Sequence, residues 1–171
     1  GYVYFNDKMQ SVQYNTLFNI AHVQLNTTLP LGKHFKWYNQ SHFQQVVGDH
    51  PVHLPLFFTR QRLALEGNYY KKLQYAIGVE ALYNTPYKVD GYFPLNGQFY
   101  FQNSFEQNNM PSLNFYTHLK VKGFTFYLRF EEFNNYNVLD NFSETNYNFT
   151  TKGYPHNGNW TRIGIWWNLI N

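Results

Sequence analysis

The sequence lacks cysteine, is poor in alanine and carries little charge. The absence of cysteine excludes a disulfide scaffold, an iron–sulfur cluster and a thiolate zinc site. Only four of the 171 residues are alanine, the best helix former, so a helical protein is not expected. The formal net charge is only +3 and the cationic residues are dispersed, so nucleic acid is not an expected partner. No segment approaches the roughly 18 continuous apolar residues of a transmembrane helix.

Aromatic residues and asparagine dominate what is present. Aromatic side chains make up 22% of the chain, and 22 residues are asparagine. Because aromatic residues favour strands and asparagine favours turns, this composition predicts an all-β protein. The negative mean hydropathy, -0.55, is compatible with membrane-spanning strands, since such strands alternate apolar and polar residues.

Alternation with a period of two residues is the strongest pattern in the sequence. Within each segment the charged residues fall on one face of a strand, whereas a helix would scatter them around its surface. The pattern is clear at residues 59–70, 73–83, 113–121, 124–130 and 162–169, and weaker at residues 21–29 and 34–46. These segments therefore predict seven strands.

The connections between the predicted strands alternate between short and long. Short turns fall at residues 30–33, 70–72 and 122–123, and long connections at residues 48–57, 84–110 and 134–159. Short turns on one side and long loops on the other are typical of an antiparallel up-and-down transmembrane β-barrel. An opening strand near residues 2–5 would bring the number to about eight, and residues 98–105 are expected to form a strand extension or hairpin inside an external loop. Residues 1–171 are then a single barrel domain or the C-terminal part of a larger barrel.

The alternation assigns side chains to two environments. An arginine facing lipid near the membrane midplane would cost about 2–4 kcal/mol, so ionisable residues are expected to face the lumen. There they either line a pore or pair with one another as a plug. The predicted lumen-facing residues are Arg60, Arg62, Glu66, Glu80, Lys120, Arg129, Glu131 and Arg162. The predicted lipid-facing residues are Leu63, Leu65, Ile77, Val79, Phe115, Leu119, Phe126, Leu128, Ile163 and Ile165.

Neither catalysis nor metal binding is expected. The sequence has no zinc-protease, phosphate-loop or serine-hydrolase motif. His50 and His53 are three residues apart, but no carboxylate is nearer than Asp49, and a solvated loop explains them better than a metal site. Glu131 and Glu132 are neighbours on a strand and point to opposite faces, so they cannot act as a paired acid and base. We predict no enzyme activity, no cofactor and no metal.

Several segments in the last two thirds of the chain resemble the putative porin family of the Bacteroidetes outer membrane. The similarity extends over roughly residues 51–171, and the order and spacing of the segments carry it. They are residues 55–63 (PLFFTRQRL), 78–87 (GVEALYNTPY), 97–103 (GQFYFQN), 110–116 (MPSLNFY), 126–131 (FYLRFE), 154–155 (YP) and 160–171 (WTRIGIWWNLIN).

This resemblance implies an outer-membrane barrel in contact with lipid, made with a signal peptide that is later removed. It also implies that the last strand is recognised by the barrel-assembly machinery, with Trp166, Trp167 and Leu169 as the assembly signal. Other outer-membrane proteins are further candidate partners. The expected role is passive diffusion of small solutes across the bacterial outer membrane. The alternatives are a non-conducting barrel that is a structural or interaction subunit of an outer-membrane complex, and a soluble all-β binding module.

Overall fold

The alternating segments form seven long strands of one antiparallel sheet in a computed structural model of the chain. The structure describes residues 1–137, 143–144, 148–156 and 158–168. The strands pair in sequence order, so the sheet is an up-and-down meander, and the predicted all-β antiparallel architecture is confirmed. In the described part of the chain, no helix is long and apolar enough to cross a membrane. We number the strands β1 (Asn19–Pro30), β2 (Phe35–Val47), β3 (Phe57–Tyr69), β4 (Leu73–Asn84), β5 (Ser112–Val121), β6 (Phe124–Glu131) and β7 (Trp160–Trp167).

The predicted alternation of short and long connections is confirmed. Four residues or fewer link β1 to β2, β3 to β4 and β5 to β6, whereas residues 48–56, 85–111 and 132–159 form the long connections. Two of the short turns place Tyr70, Lys71 and Lys122 in the left-handed region, with φ of 49°, 58° and 51°. Turns of this kind match the right-handed twist of the strands that they join.

Short hairpins and one helical turn lie outside the sheet. Gln98–Tyr100 pairs with Gly91–Phe93, so a hairpin does lie inside this long connection, but it spans residues 91–100, and residues 101–105 are not in a strand. The expected opening strand, Tyr2–Phe5, is extended but pairs with Ser11–Tyr14, so the described sheet has seven strands. The remaining short elements are Tyr87–Lys88 with Glu106–Gln107, Tyr136–Asn137 with Ser143–Glu144, Phe149–Thr151 with Tyr154–Pro155, and the 3-10 turn Phe133–Asn135.

A tight turn after Tyr2–Phe5 reverses the chain, so that this segment pairs with Ser11–Tyr14. The Asn6 side-chain carbonyl accepts hydrogen bonds from the backbone N–H groups of Lys8, at 3.0 Å, and of Gln10, at 2.9 Å. Met9 adopts a left-handed conformation with φ of 60°. An asparagine that binds the following backbone in this way initiates a turn, and the chain reverses before it can join the sheet.

The register of the sheet separates its residues into two faces. Residues directly opposite one another in an antiparallel ladder point to the same side. One row of partners joins Arg62, Glu80 and Asn114, and the next joins Leu63, Val79 and Phe115. We call the side of Arg62 the charged face and the side of Leu63 the apolar face. Following the register across all seven strands, every Glu, Lys, Arg and His of the sheet lies on the charged face.

The centre of the charged face is protected, whereas the apolar face is largely exposed. Glu80 is 1% exposed, and Ala64, Asn114 and Tyr116 are buried on the same face. On the apolar face, in contrast, Val23 and Ile163 are 67% and 64% exposed, and no large aliphatic side chain of the sheet is buried on that face. Soluble domains have the opposite distribution, since they bury aliphatic side chains and leave charges in water.

Glycine makes room for tyrosine rings on the charged face. Gly78 lies opposite Tyr116, and a Cβ at Gly78 would lie only 2.7 Å from the Tyr116 Oη. Gly164 lies opposite Tyr127, where an added Cβ would overlap the ring. A glycine in a strand commonly marks such a close approach.

A polar cluster interrupts the apolar face across β1, β2 and β3. We define it as Thr27, Asn39, Ser41, Thr59 and Gln61. The Asn39 Oδ1 accepts hydrogen bonds from Ser41 Oγ at 2.8 Å and Gln61 Nε2 at 2.5 Å, and Asn39 Nδ2 donates to Thr27 Oγ1 at 3.2 Å. Ser41 Oγ also lies 3.0 Å from Thr59 Oγ1. The members thus satisfy one another, which allows polar groups to lie within an apolar surface.

We expect Asn39→Leu to destabilise the sheet, because it removes the centre of the polar cluster. Ser41 and Gln61 keep hydrogen bonds to Thr59, so the loss is that of the bonds made by Asn39 itself, and the free energy of unfolding in detergent should fall by about 1–3 kcal/mol. Gln45→Leu is the matched control, since Gln45 lies on the same strand and face but is exposed. Equal stability of the two variants would show that the cluster does not stabilise the sheet.

Candidate functional site

An ion-pair chain crosses the charged face from β3 to β7. Its members are Arg60, Glu80, Arg129, Glu131 and Arg162. Arg129 Nη2 lies 2.7 Å from Glu80 Oε1, and its Nε lies 3.1 Å from Glu131 Oε1. Arg60 Nη2 lies 2.5 Å from Glu80 Oε2, and Arg162 Nη2 lies 3.0 Å from Glu131 Oε2. Cations and carboxylates therefore alternate across four of the seven strands.

Glu80 is the buried member of this chain. Its carboxylate accepts hydrogen bonds from Arg60 Nε at 2.6 Å, Arg129 Nη2 at 2.7 Å and Asn114 Nδ2 at 3.4 Å. Arg129 reaches Glu80 across β5, where Asn114 and Tyr116 occupy the space between them. A carboxylate removed from water is stable only when cations and donors surround it, and Glu80 has both.

A second charged group lies on β2 and β3. One carboxylate oxygen of Glu66 accepts a hydrogen bond from Lys36 Nζ at 2.9 Å, and the other accepts one from the Tyr38 hydroxyl at 2.8 Å. The Arg62 guanidinium lies 4.0 Å from the centre of the Tyr38 ring and 5.9 Å from that of Tyr116. Arg62 is therefore held by aromatic rings, and among the described residues no carboxylate lies within ion-pair distance of it.

The register places each residue predicted for the barrel wall on the expected side of the sheet. All eight predicted lumen-facing residues lie on the charged face, and five of them form the ion-pair chain. All ten predicted lipid-facing residues lie on the apolar face, and none of them is buried. Lys120 lies apart from the chain, near the turn between β5 and β6. That the two faces meet a lumen and lipid stays a prediction.

The predicted assembly signal lies at the end of β7. Trp166 and Trp167 are both largely exposed, and their register partners Thr125 and Phe124 place them on opposite faces. Leu169 lies outside the described residues. Recognition of this strand by the assembly machinery stays a prediction.

The long connections are joined to one another at one end of the sheet. Glu132 accepts hydrogen bonds from Asn135 Nδ2 at 2.9 Å and Ser112 Oγ at 3.1 Å, and its Oε1 lies 2.7 Å from His156 Nδ1. Asn148 exchanges two hydrogen bonds with the backbone of Met110. Sequence reasoning missed this anchor, because Glu132 has φ of 52° and glutamate gives no signal for a left-handed residue.

The two loop histidines have separate partners. His53 lies between Asp90 Oδ1, 2.8 Å from its Nδ1, and Asn103 Oδ1, 3.3 Å from its Nε2, while His50 Nδ1 lies 2.7 Å from the Gly48 carbonyl. In the described part of the chain, no group of three His, Cys, Asp or Glu side chains could hold a metal ion. Asp90 also acts on Tyr87: burial, together with the negative charge of Asp90, raises the pKa of the Tyr87 hydroxyl.

A cavity of about 470 Å³ with a mixed polar and apolar lining lies between the long connections and the charged face. Arg129 and Arg162 line its sheet side, and Asn109 and His156 line its loop side. Gln107 also lines it, and this residue is only 6% exposed and has no hydrogen-bond partner for its Oε1. The cavity therefore presents polar and charged groups from both sides, next to the ion-pair chain.

We expect Glu80→Ala to lower the free energy of unfolding by about 3 kcal/mol, because it leaves Arg60 and Arg129 without their buried partner. Urea unfolding in detergent measures this change. Glu131→Ala is the matched comparison: Glu131 is half-buried, and its loss should cost about 1 kcal/mol. A smaller loss for Glu80→Ala than for Glu131→Ala would contradict a central role for Glu80.

The whole chain, residues 1–171, matches the model of the family described as "Putative porin". The match includes residues 1–50, which the segments quoted above did not cover. Neither a curated protein nor a solved structure matches the chain. Membership of this family supports a porin-like role at the outer membrane and is more consistent with a non-enzyme than with an enzyme. The chain, whose seven-stranded antiparallel sheet carries its charged side chains on one face, belongs to the putative porin family.

Proposed function

We propose that the chain forms the wall of an outer-membrane pore through which small polar solutes diffuse passively. The protection of Glu80 and its neighbours at the centre of the charged face and the exposure of the apolar face carry this proposal. A barrel wall in a membrane needs this distribution, because lipid solvates the outer side and the lumen encloses the polar side.

The two faces have separate roles in this function. The apolar face has no ionisable Asp, Glu, Lys, Arg or His in the seven strands, so lipid contact carries no cost of burying charge. The charged face offers water and solutes the ion-pair chain and the polar groups beside it. The joined loops at one end of the sheet would form the mouth, with the cavity beside Arg129 and Arg162 as its vestibule.

A non-conducting barrel is the second candidate function. Glu80 is fully buried between Arg60 and Arg129, and Tyr116 is buried beside it. In a narrow barrel such packed ion pairs would fill the interior and hold it shut. The protein would then be a structural or interaction subunit of an outer-membrane complex.

The exposed end of β7 supports a role in assembly. Trp166 and Trp167 are among the most exposed aromatic side chains of the sheet, and β7 pairs only with β6 in the described sheet. We propose that this strand is the part of the chain that the barrel-assembly machinery recognises.

Reconstitution in planar bilayers tests the proposed function. Protein extracted from the outer membrane in mild detergent should migrate differently on gels before and after heating, and it should give stepwise conductance in a bilayer. The solute flux should be linear in concentration, because passive diffusion does not saturate at a binding site.

Two other outcomes would contradict this proposal. A heat-modifiable protein that inserts but gives no current would support the non-conducting barrel. A chain that remains in solution without detergent would contradict a membrane barrel and support the soluble binding module.

A further inference from the structure

The charged face has an excess of positive charge. It has six lysine and arginine side chains and three carboxylates, and the opposite face has neither. The cations are Lys36, Arg60, Arg62, Lys120, Arg129 and Arg162, and the carboxylates are Glu66, Glu80 and Glu131. With histidine neutral, the sheet presents three net positive charges, all on one side.

Every carboxylate on this face is already paired. Glu80 is bound by two arginines, Glu131 lies within 3.1 Å of Arg129 and 3.0 Å of Arg162, and Glu66 is bound by Lys36 and Tyr38. A passing cation would have to compete with these partners at distances of 2.5–3.1 Å. The negative charges are therefore poorly available to a solute.

Two of the six cations on the charged face have no carboxylate partner among the described residues. Lys120 is exposed near the turn between β5 and β6, and no ion pair includes it. Arg62 lies at the middle of β3, directly opposite Glu80 in the register. The Glu80 carboxylate nevertheless turns to Arg60 and Arg129, which leaves the Arg62 guanidinium against the Tyr38 ring.

The packing of Arg62 fixes the position of its charge. Its Nε is buried without a hydrogen-bond partner, and the side chain is half-buried between the rings of Tyr38 and Tyr116. Aromatic rings hold a guanidinium without neutralising it, and a planar guanidinium suits chloride, carboxylate or phosphate groups. Arg62 is thus a positioned cation without an ion-pair partner among the described residues, on the face that would line the pore.

We propose that the pore prefers small anions over cations, and that Arg62 is its main selectivity residue. This inference rests on the proposed function. Fixed positive charge in a confined path raises the local concentration of anions and lowers that of cations, and rings of Arg or Lys select anions in other pores. Because the three carboxylates balance only three of the six cations, the electric field of the charged face remains positive.

Reversal potentials in a potassium chloride gradient test the inference with protein extracted from the outer membrane. We expect a chloride-to-potassium permeability ratio above one at low salt. Arg62→Ala should lower this ratio about twofold, the effect expected from one unit charge at several ångströms in partly screened water. Arg62→Lys should retain the preference, because it keeps the charge.

Two further variants keep the test informative. Lys8→Ala removes one positive charge from the turn of the first hairpin, outside the sheet, and should leave the ratio unchanged. Lys120→Ala removes an exposed cation of the charged face that has no ion pair, so it should fold normally and lower the ratio even if Arg62→Ala does not fold.

The outcomes separate this inference from the proposed function. A conducting channel that prefers potassium would overturn the anion preference and leave the pore intact. A ratio unaffected by both Arg62→Ala and Lys120→Ala would overturn the assignment of selectivity to this face. A protein that inserts but gives no current would overturn the proposed function, and the anion preference with it.

Discussion

The register of the antiparallel sheet is the constraint on which the structure depends. In each ladder a residue shares its side with its direct partner, so a slip of one residue would move a whole strand's charges to the other face. The register instead keeps Arg62, Glu80 and Asn114 in one row and Leu63, Val79 and Phe115 in the next. Only this alignment lets one sheet contact lipid on one side and water on the other.

Ion pairing follows from that separation. Because all charged side chains of the sheet lie on one side, they are close enough to pair across strands. Glu80 can therefore be buried, since Arg60 and Arg129 balance its charge. The charged face has six cations and only three carboxylates, so all three carboxylates are paired while two of the cations have no ion-pair partner among the described residues. The same packing therefore surrounds Glu80 with cations and leaves the charged face with a net positive charge.

Much of the fold could be predicted from the sequence, because alternation and connection length are local properties. These two patterns predicted the seven strands, the short turns and the face of the sheet on which each residue of the predicted sets lies. The contacts of particular residues could not be predicted. That Glu80 pairs with Arg60 and Arg129 rather than with Arg62 depends on a diagonal contact between β3 and β4 and on the reach of Arg129 across β5. The Asn39 cluster and the Glu132 anchor likewise join segments distant in sequence, and no local pattern marks them.

The direction of the strands limits how such a wall can close. Consecutive strands of a meander alternate in direction, so β1 and β7 run the same way. A barrel in which every neighbouring pair is antiparallel has an even number of strands. Seven strands cannot meet that condition alone, and Tyr2–Phe5 does not supply an eighth, because it pairs with Ser11–Tyr14. Antiparallel closure therefore needs an odd number of strands besides these seven. One more strand would give an eight-stranded barrel whose interior the packed side chains fill, whereas three or more would leave room for a solute beside Arg62.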